Sequence, residues 1–98
     1  MILQPGQIVY SKAGRDKGAP FVVVSVDGDF AYIINGKDRP LARAKKKKAK
    51  HIQPTNDIDT ALAAKLASGA YVNDSEINKL LKPYSRSQGG NECLRTTS

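Results

Sequence analysis

The chain has 98 residues, with sixteen Lys and Arg against nine Asp and Glu, 40% hydrophobic content and a formal net charge of +7. A core of that size is marginal and leaves no room for a deep catalytic cleft, so one small domain with an appendage is expected. The lone cysteine, Cys93, excludes an intrachain disulfide and fits a reducing compartment; no run approaches the roughly eighteen apolar residues of a membrane span, and residues 1–6 lack the layout of a secretory leader, which together predict a soluble, cytoplasmic protein.

Pro5-Gly6 predicts a turn, and residues 7–11 then alternate polar and apolar side chains as a short strand does. Gly14-Arg15-Asp16-Lys17-Gly18 follows, a charged loop between two glycines. Glycine has no Cβ and tolerates positive φ, so Gly14 and Gly18 let the backbone approach a phosphate chain closely. Residues 19–26 are β-branched and aromatic over most of their length and predict a strand buried on both faces. Asp27-Gly28-Asp29 predicts a tight turn into a strand over residues 30–34, and Asn35-Gly36 is the strongest short hairpin motif in the chain. A fourth strand is expected over residues 38–43 and a fifth over residues 50–53, ending at Pro54. Alternation would set Arg39, Leu41 and Arg43 on one face of the fourth, so either Pro40 sits at a bulge or that strand is only two or three residues long. Short strands joined by hairpins hide their edges by curling, and the expected fold class is mainly β, a five-stranded SH3-like barrel over residues 1–55.

After Pro54 the hydrophobic period moves toward 3.6. Ile58, Leu62 and Leu66 predict a helix over residues 57–68, with Asn56 as N-cap, Asp57 and Asp59 at the positive end of its dipole, and Gly69 as its stop. Asn73 and Glu76 form a capping box for a second helix, Val72 is placed to staple against Ile77, and Pro83 is expected to close it after Lys82. Narrow apolar stripes of this kind predict a helical extension over residues 56–83 that folds back on the barrel, a separate partner-binding hairpin being the alternative. Residues 84–98 have almost no periodicity and are expected to be a flexible tail.

Charge is distributed unevenly. Residues 1–54 hold eleven Lys and Arg against four Asp and Glu, a net of +7, whereas residues 55–98 hold five of each. An excess confined to one half is the footprint of a polyanion binder, and nucleic acid is the expected partner. Lys12, Arg15 and Lys17 on the first loop, Lys37 and Arg39 on the Asn-Gly turn, and Arg43 beyond it are the candidate phosphate-binding side chains. Arginine grips two phosphate oxygens at once; lysine acts as a mobile point charge. Lys45, Lys46, Lys47, Lys48 and Lys50 form a run too repulsive to pack, read as an arm that orders against RNA in preference to a solvated loop. Tyr10, Phe21, Phe30 and Tyr32 lie in apolar runs that favour core packing over base stacking.

One histidine, His51, and one distant cysteine cannot build a zinc site, and no cofactor or metal is expected. Asp57 and Asp59 are explained by their place at a helix start, and no nucleophile, base and orienting group can be assembled. The expectation is a binding protein, with neither a catalytic activity nor a small-molecule substrate.

Residues 5–18, from Pro5-Gly6-Gln7-Ile8-Val9-Tyr10 through Gly14-Arg15-Asp16-Lys17-Gly18, followed by Phe21-Val22-Val23-Val24, resemble the KOW motif of RNA-binding ribosomal and transcription-elongation proteins. Tyr32-Ile33-Ile34-Asn35-Gly36-Lys37-Asp38-Arg39 and Lys50-His51-Ile52-Gln53-Pro54-Thr55 are similar to archaeal and eukaryotic large-subunit ribosomal proteins of the "L-fourteen" type and their short bacterial relatives. Ala19-Pro20-Phe21 stands where the generic motif usually has a further glycine, which loosens the tie to elongation factors more than to the ribosomal branch. The resemblance covers about residues 4–55 and implies a KOW barrel that binds structured RNA, ribosomal RNA of the large subunit, as a ribosomal or ribosome-associated protein of translation. The alternative it leaves is a KOW module in transcription elongation, contacting RNA polymerase.

Overall fold

The computed structural model describes residues 3–86. In chain order the elements are β1 (Gln7–Ser11), β2 (Pro20–Asp27), β3 (Phe30–Ile34), β4 (Lys45–Lys48), β5 (Ile52–Ile58), α1 (Thr60–Ser68) and α2 (Asp74–Arg86), with short 3-10 turns at Leu41–Arg43 and Ala49–His51. The strands form one five-stranded sheet in the order β4-β3-β2-β1-β5, antiparallel throughout. Among the described residues no helix is long and apolar enough to cross a membrane.

Period-two alternation divides the apolar side chains between two faces of the sheet. Val9, Phe21, Val23, Ala31, Ile33 and Ile52 pack together on one face. Ile8, Val22 and Ile34 point the other way and pack with Leu62, Val72, Ile77 and Leu81 from the helical segment. The helices therefore fold back on the sheet. Full burial of a side chain such as Ile77, 0% exposed, contributes about 1.5–3 kcal/mol. A bulge between Val23 and Ser25 lets β2 curve while it stays paired to β3.

β1 and β3 have the expected bounds, and β2 lies within one residue of its own. The fourth strand does not. Residues 38–43 are a loop ending in a 3-10 turn, and β4 is the lysine run itself. Asn35 accounts for the difference: its Oδ1 accepts from the amides of Lys37 (2.9 Å) and Arg39 (3.0 Å), and Arg39 O accepts from the amide of Asn35 (2.9 Å). The chain is thus closed into a local loop before it can pair. Leu41, freed from strand alternation, packs against the helix-side cluster.

β5 runs through Pro54 to Ile58, beyond the expected stop. β5 lies at the end of the strand order, where a residue without an N–H is tolerated. The irregular pairing between Gln7 and Val9 is stitched by side chains: Gln7 Nε2 donates to Thr55 O (2.9 Å), and Thr55 Oγ1 donates to Ile8 O (2.7 Å). Because the strand takes residues 55–58, α1 starts later than expected, and its N-cap is Asp59, not Asn56, accepting from the Leu62 amide at 2.9 Å. Ile58 is on a strand, 37% exposed, and leaves the helical stripe to Leu62 and Leu66.

The capping box of α2 forms as expected: Asn73 Oδ1 accepts from the Ser75 amide (2.8 Å) and Glu76 Oε1 from the Asn73 amide (3.1 Å). Pro83 does not end the helix, which continues to Arg86. Tyr84 anchors the extra turn. Its hydroxyl donates to Asp57 Oδ2 (2.7 Å), and its ring meets Tyr10 edge-on at 6.4 Å. That hydrogen bond, with burial, raises the Tyr84 pKa from 10.0 to about 12. The rest of the expected tail, including Cys93, lies outside the described residues.

Candidate nucleic-acid interface

The loop from β1 to β2 is closed by its own backbone. Gly18 N donates to Ser11 O (2.8 Å), Ala19 N to Asp16 O (2.9 Å) and Lys17 N to Gly14 O (3.3 Å). Gly14 and Gly18 both stand at positive φ, 88° and 87°, where an L side chain is strained. Lys12, Arg15 and Lys17 project from this frame and are exposed.

Asp16, the one acid in the loop, turns inward. Its Oδ1 accepts from Ser11 Oγ (2.8 Å) and lies 3.3 Å from Lys47 Nζ; its Oδ2 accepts from Lys45 Nζ at 2.8 Å. Lys47 Nζ also donates to Ala13 O (2.8 Å). Partial burial alone would raise the Asp16 pKa, but the hydrogen bonds from Lys45, Ser11 and Lys47 outweigh it and bring it from 3.8 to about 2. Sequence reading passed over Asp16 as a site residue; the one available signal was an acid inside an otherwise basic pentapeptide.

These contacts correct the expectation of a free lysine arm. Lys45–Lys48 is paired along its length to β3, with Ile33 opposite Lys45, Tyr32 opposite Lys46, Ala31 opposite Lys47 and Phe30 opposite Lys48. Alternation then separates four identical side chains. Lys45 and Lys47 share the face of Ile33 and Ala31 and reach Asp16, and Lys47 is 8% exposed. Lys46 and Lys48 share the face of Tyr32 and Phe30 and are exposed, with Lys46 Nζ 4.6 Å from the centre of the Phe30 ring. Like-charge repulsion is relieved because every second lysine has a carboxylate and the others have solvent. Lys50, in the 3-10 turn after β4, is also exposed.

The second basic loop joins β3 to β4. Pro20 opens β2 and Ile34 closes β3, and the pairing of Val22 with Ile34 sets the two basic loops at the same end of the sheet. The neighbourhood is electrostatic too: the Asp38 carboxyl, held below its usual pKa mainly by a hydrogen bond from Asn35, also feels the charge of Asp16. Lys37 and Arg43 are exposed on this loop, and Arg39 is half-buried.

The structure therefore brings Lys12, Arg15, Lys17, Lys37, Arg39 and Arg43 to one end, sets Lys46 and Lys48 on the outer face of β4, and largely buries Lys47. Phe21 is a core residue, 1% exposed, whereas Phe30 and Tyr32 are half-buried beside the outward lysines. His51 is half-buried, with its carbonyl accepting from the Lys12 amide at 2.8 Å. Among the described residues no group of His, Cys, Asp or Glu side chains is placed to hold a metal ion. In comparison with known proteins, no protein-family model matches the chain and no curated protein matches it significantly.

Proposed function

We propose that this chain is an RNA-binding protein of the KOW type, a ribosomal or ribosome-associated cytoplasmic protein that holds structured, large-subunit ribosomal RNA by its basic loops. The observation that carries the reading is the loop with Arg15 and Lys17 fixed outward by an inward Asp16, beside a second basic loop at the same end of the sheet. A preset array of cations on rigid loops suits a phosphate backbone, which supplies most of the affinity for structured RNA. An SH3-like barrel is part of the proposal, supported by the strand order β4-β3-β2-β1-β5 and by Lys45 and Lys47 reaching from β4 to the β1–β2 loop, which requires a strongly curled sheet. The role is binding, without catalysis. Its phosphate-facing residues are Lys12, Arg15, Lys17, Lys37, Arg39, Arg43, Lys46, Lys48 and Lys50, with Lys45 and Lys47 acting from behind through Asp16.

Crosslinking in cells, sequencing of the attached RNA and sedimentation on sucrose gradients test it together. Large-subunit ribosomal RNA should dominate, in the large-subunit fractions. Association with RNA polymerase that survives nuclease treatment, with no ribosomal RNA recovered, would overturn the assignment.

A further inference from the structure

We infer that the polar face of α2 and the tip of the β3–β4 loop form a second phosphate-binding groove, which extends the RNA surface onto the helical extension. The groove is an open depression of about 550 Å³ lined by Lys37, Ser75, Asn78, Lys79, Lys82 and Ser85. Every lining side chain carries a hydrogen-bond donor, three are cationic, and none is a carboxylate.

The nearby acids of α2 are engaged elsewhere. Asp74 Oδ1 accepts from the Leu41 amide (3.2 Å), and Glu76 is paired with Lys65 at 2.9 Å. Among the described residues Lys37, Lys79 and Lys82 form no ion pair. The two walls are held in fixed relation. Gly36, at φ 76°, lies so close to α2 that a Cβ would strike Asp74 O and come within 2.9 Å of the Asn78 amide nitrogen. Lysines at 79 and 82, one turn apart, sit on the same side as Asn78 and Ser85. A concave strip of donors that runs nearly three helical turns along α2, from Ser75 to Ser85, fits a sugar-phosphate strand better than a flat lipid surface.

The inference rests on the RNA-binding reading, and one titration separates the two. Binding of a labelled RNA hairpin is measured against salt for the wild type, Lys79→Gln/Lys82→Gln, Arg15→Gln/Lys17→Gln and Ala64→Glu/Ala67→Glu. The last pair lowers the net charge equally, on exposed positions of α1. The groove predicts that Lys79→Gln/Lys82→Gln weakens binding on the order of tenfold and flattens the slope of log K against log salt by about one per lysine, whereas the α1 pair has a much smaller effect. Equal effects of the α2 and α1 variants would reduce the groove to net charge and overturn it. No effect at 79 and 82, with loss on changing Arg15 and Lys17, would overturn the groove and leave the RNA-binding reading standing. Wild-type protein that ignores the hairpin but binds anionic lipid vesicles would overturn both.

Discussion

Lys47 and Asp16 are 31 residues apart in sequence and form an ion pair at 3.3 Å that joins the edge strand β4 to the glycine-bounded loop. The lysine is 8% exposed, so removal of its partner leaves a charge with little water around it. Asp16→Asn is expected to cost about 2–3 kcal/mol in urea unfolding, and a further change of Lys47→Met should restore much of that loss. If the double variant is no more stable than the single one, Lys47 is not the group left stranded.

Acid should act on the same site. The folded Asp16 pKa is depressed from 3.8 to about 2, so its contribution is complete above the unfolded value and is lost as pH falls through the folded one. Stability attributable to Asp16 is expected to fall by roughly 2 kcal/mol between about pH 5 and pH 2. Thermal melts over that range should show a shallower acid limb for Asp16→Asn than for the wild type.

The alternation in β4 makes a crossed prediction. Lys46→Gln/Lys48→Gln should leave urea stability within about 0.5 kcal/mol and flatten the salt dependence of RNA binding by about one per lysine. Lys45→Gln/Lys47→Gln should instead lower stability, and should change RNA affinity only as far as the β1–β2 loop loosens. Loss of affinity with an unchanged melt from the inward pair would contradict the assignment of faces.

Gly36 and Gly28 both have positive φ, but only Gly36 faces another element. Gly28→Ala meets nothing within 4 Å and should cost about 1 kcal/mol, the backbone term alone. Gly36→Ala has to push the start of α2 away and should cost clearly more. Amide exchange of residues 74–78 would report the displacement directly.

Much of the sheet was legible because its residues agree at every level. β-branched runs, Gly-containing turns and period-two alternation all pointed to β1, β2 and β3, and the capping residues of α2 did the same for its start. Apart from the strand expected over residues 38–43, which Asn35 closes off locally, the errors share one cause, contacts between residues far apart in sequence. Nothing local to the lysine run shows that Asp16 waits opposite it, so solvent repulsion set the expectation and a strand was missed. Pro83 ends helices in isolation; Tyr84 bound to Asp57 and packed on Tyr10 keeps this one going. The glycine loop and its outward cations were readable as a candidate site, while the inward acid that holds them was not. The α2 groove was invisible for the same reason, since Lys37 and Lys82 become neighbours only when the helix folds back.

Within a stretch of four identical residues the side chains themselves do not say which pair should face inward beside β3. The phase has to come from outside, and a carboxylate two strands away helps to supply it, like a tooth engaging an otherwise blank rack, together with the Ala49 amide held on Asp29 O (2.8 Å) just past the run. Deleting or adding one lysine in that stretch should therefore be absorbed by sliding, provided Asp16 still finds an amine to close on.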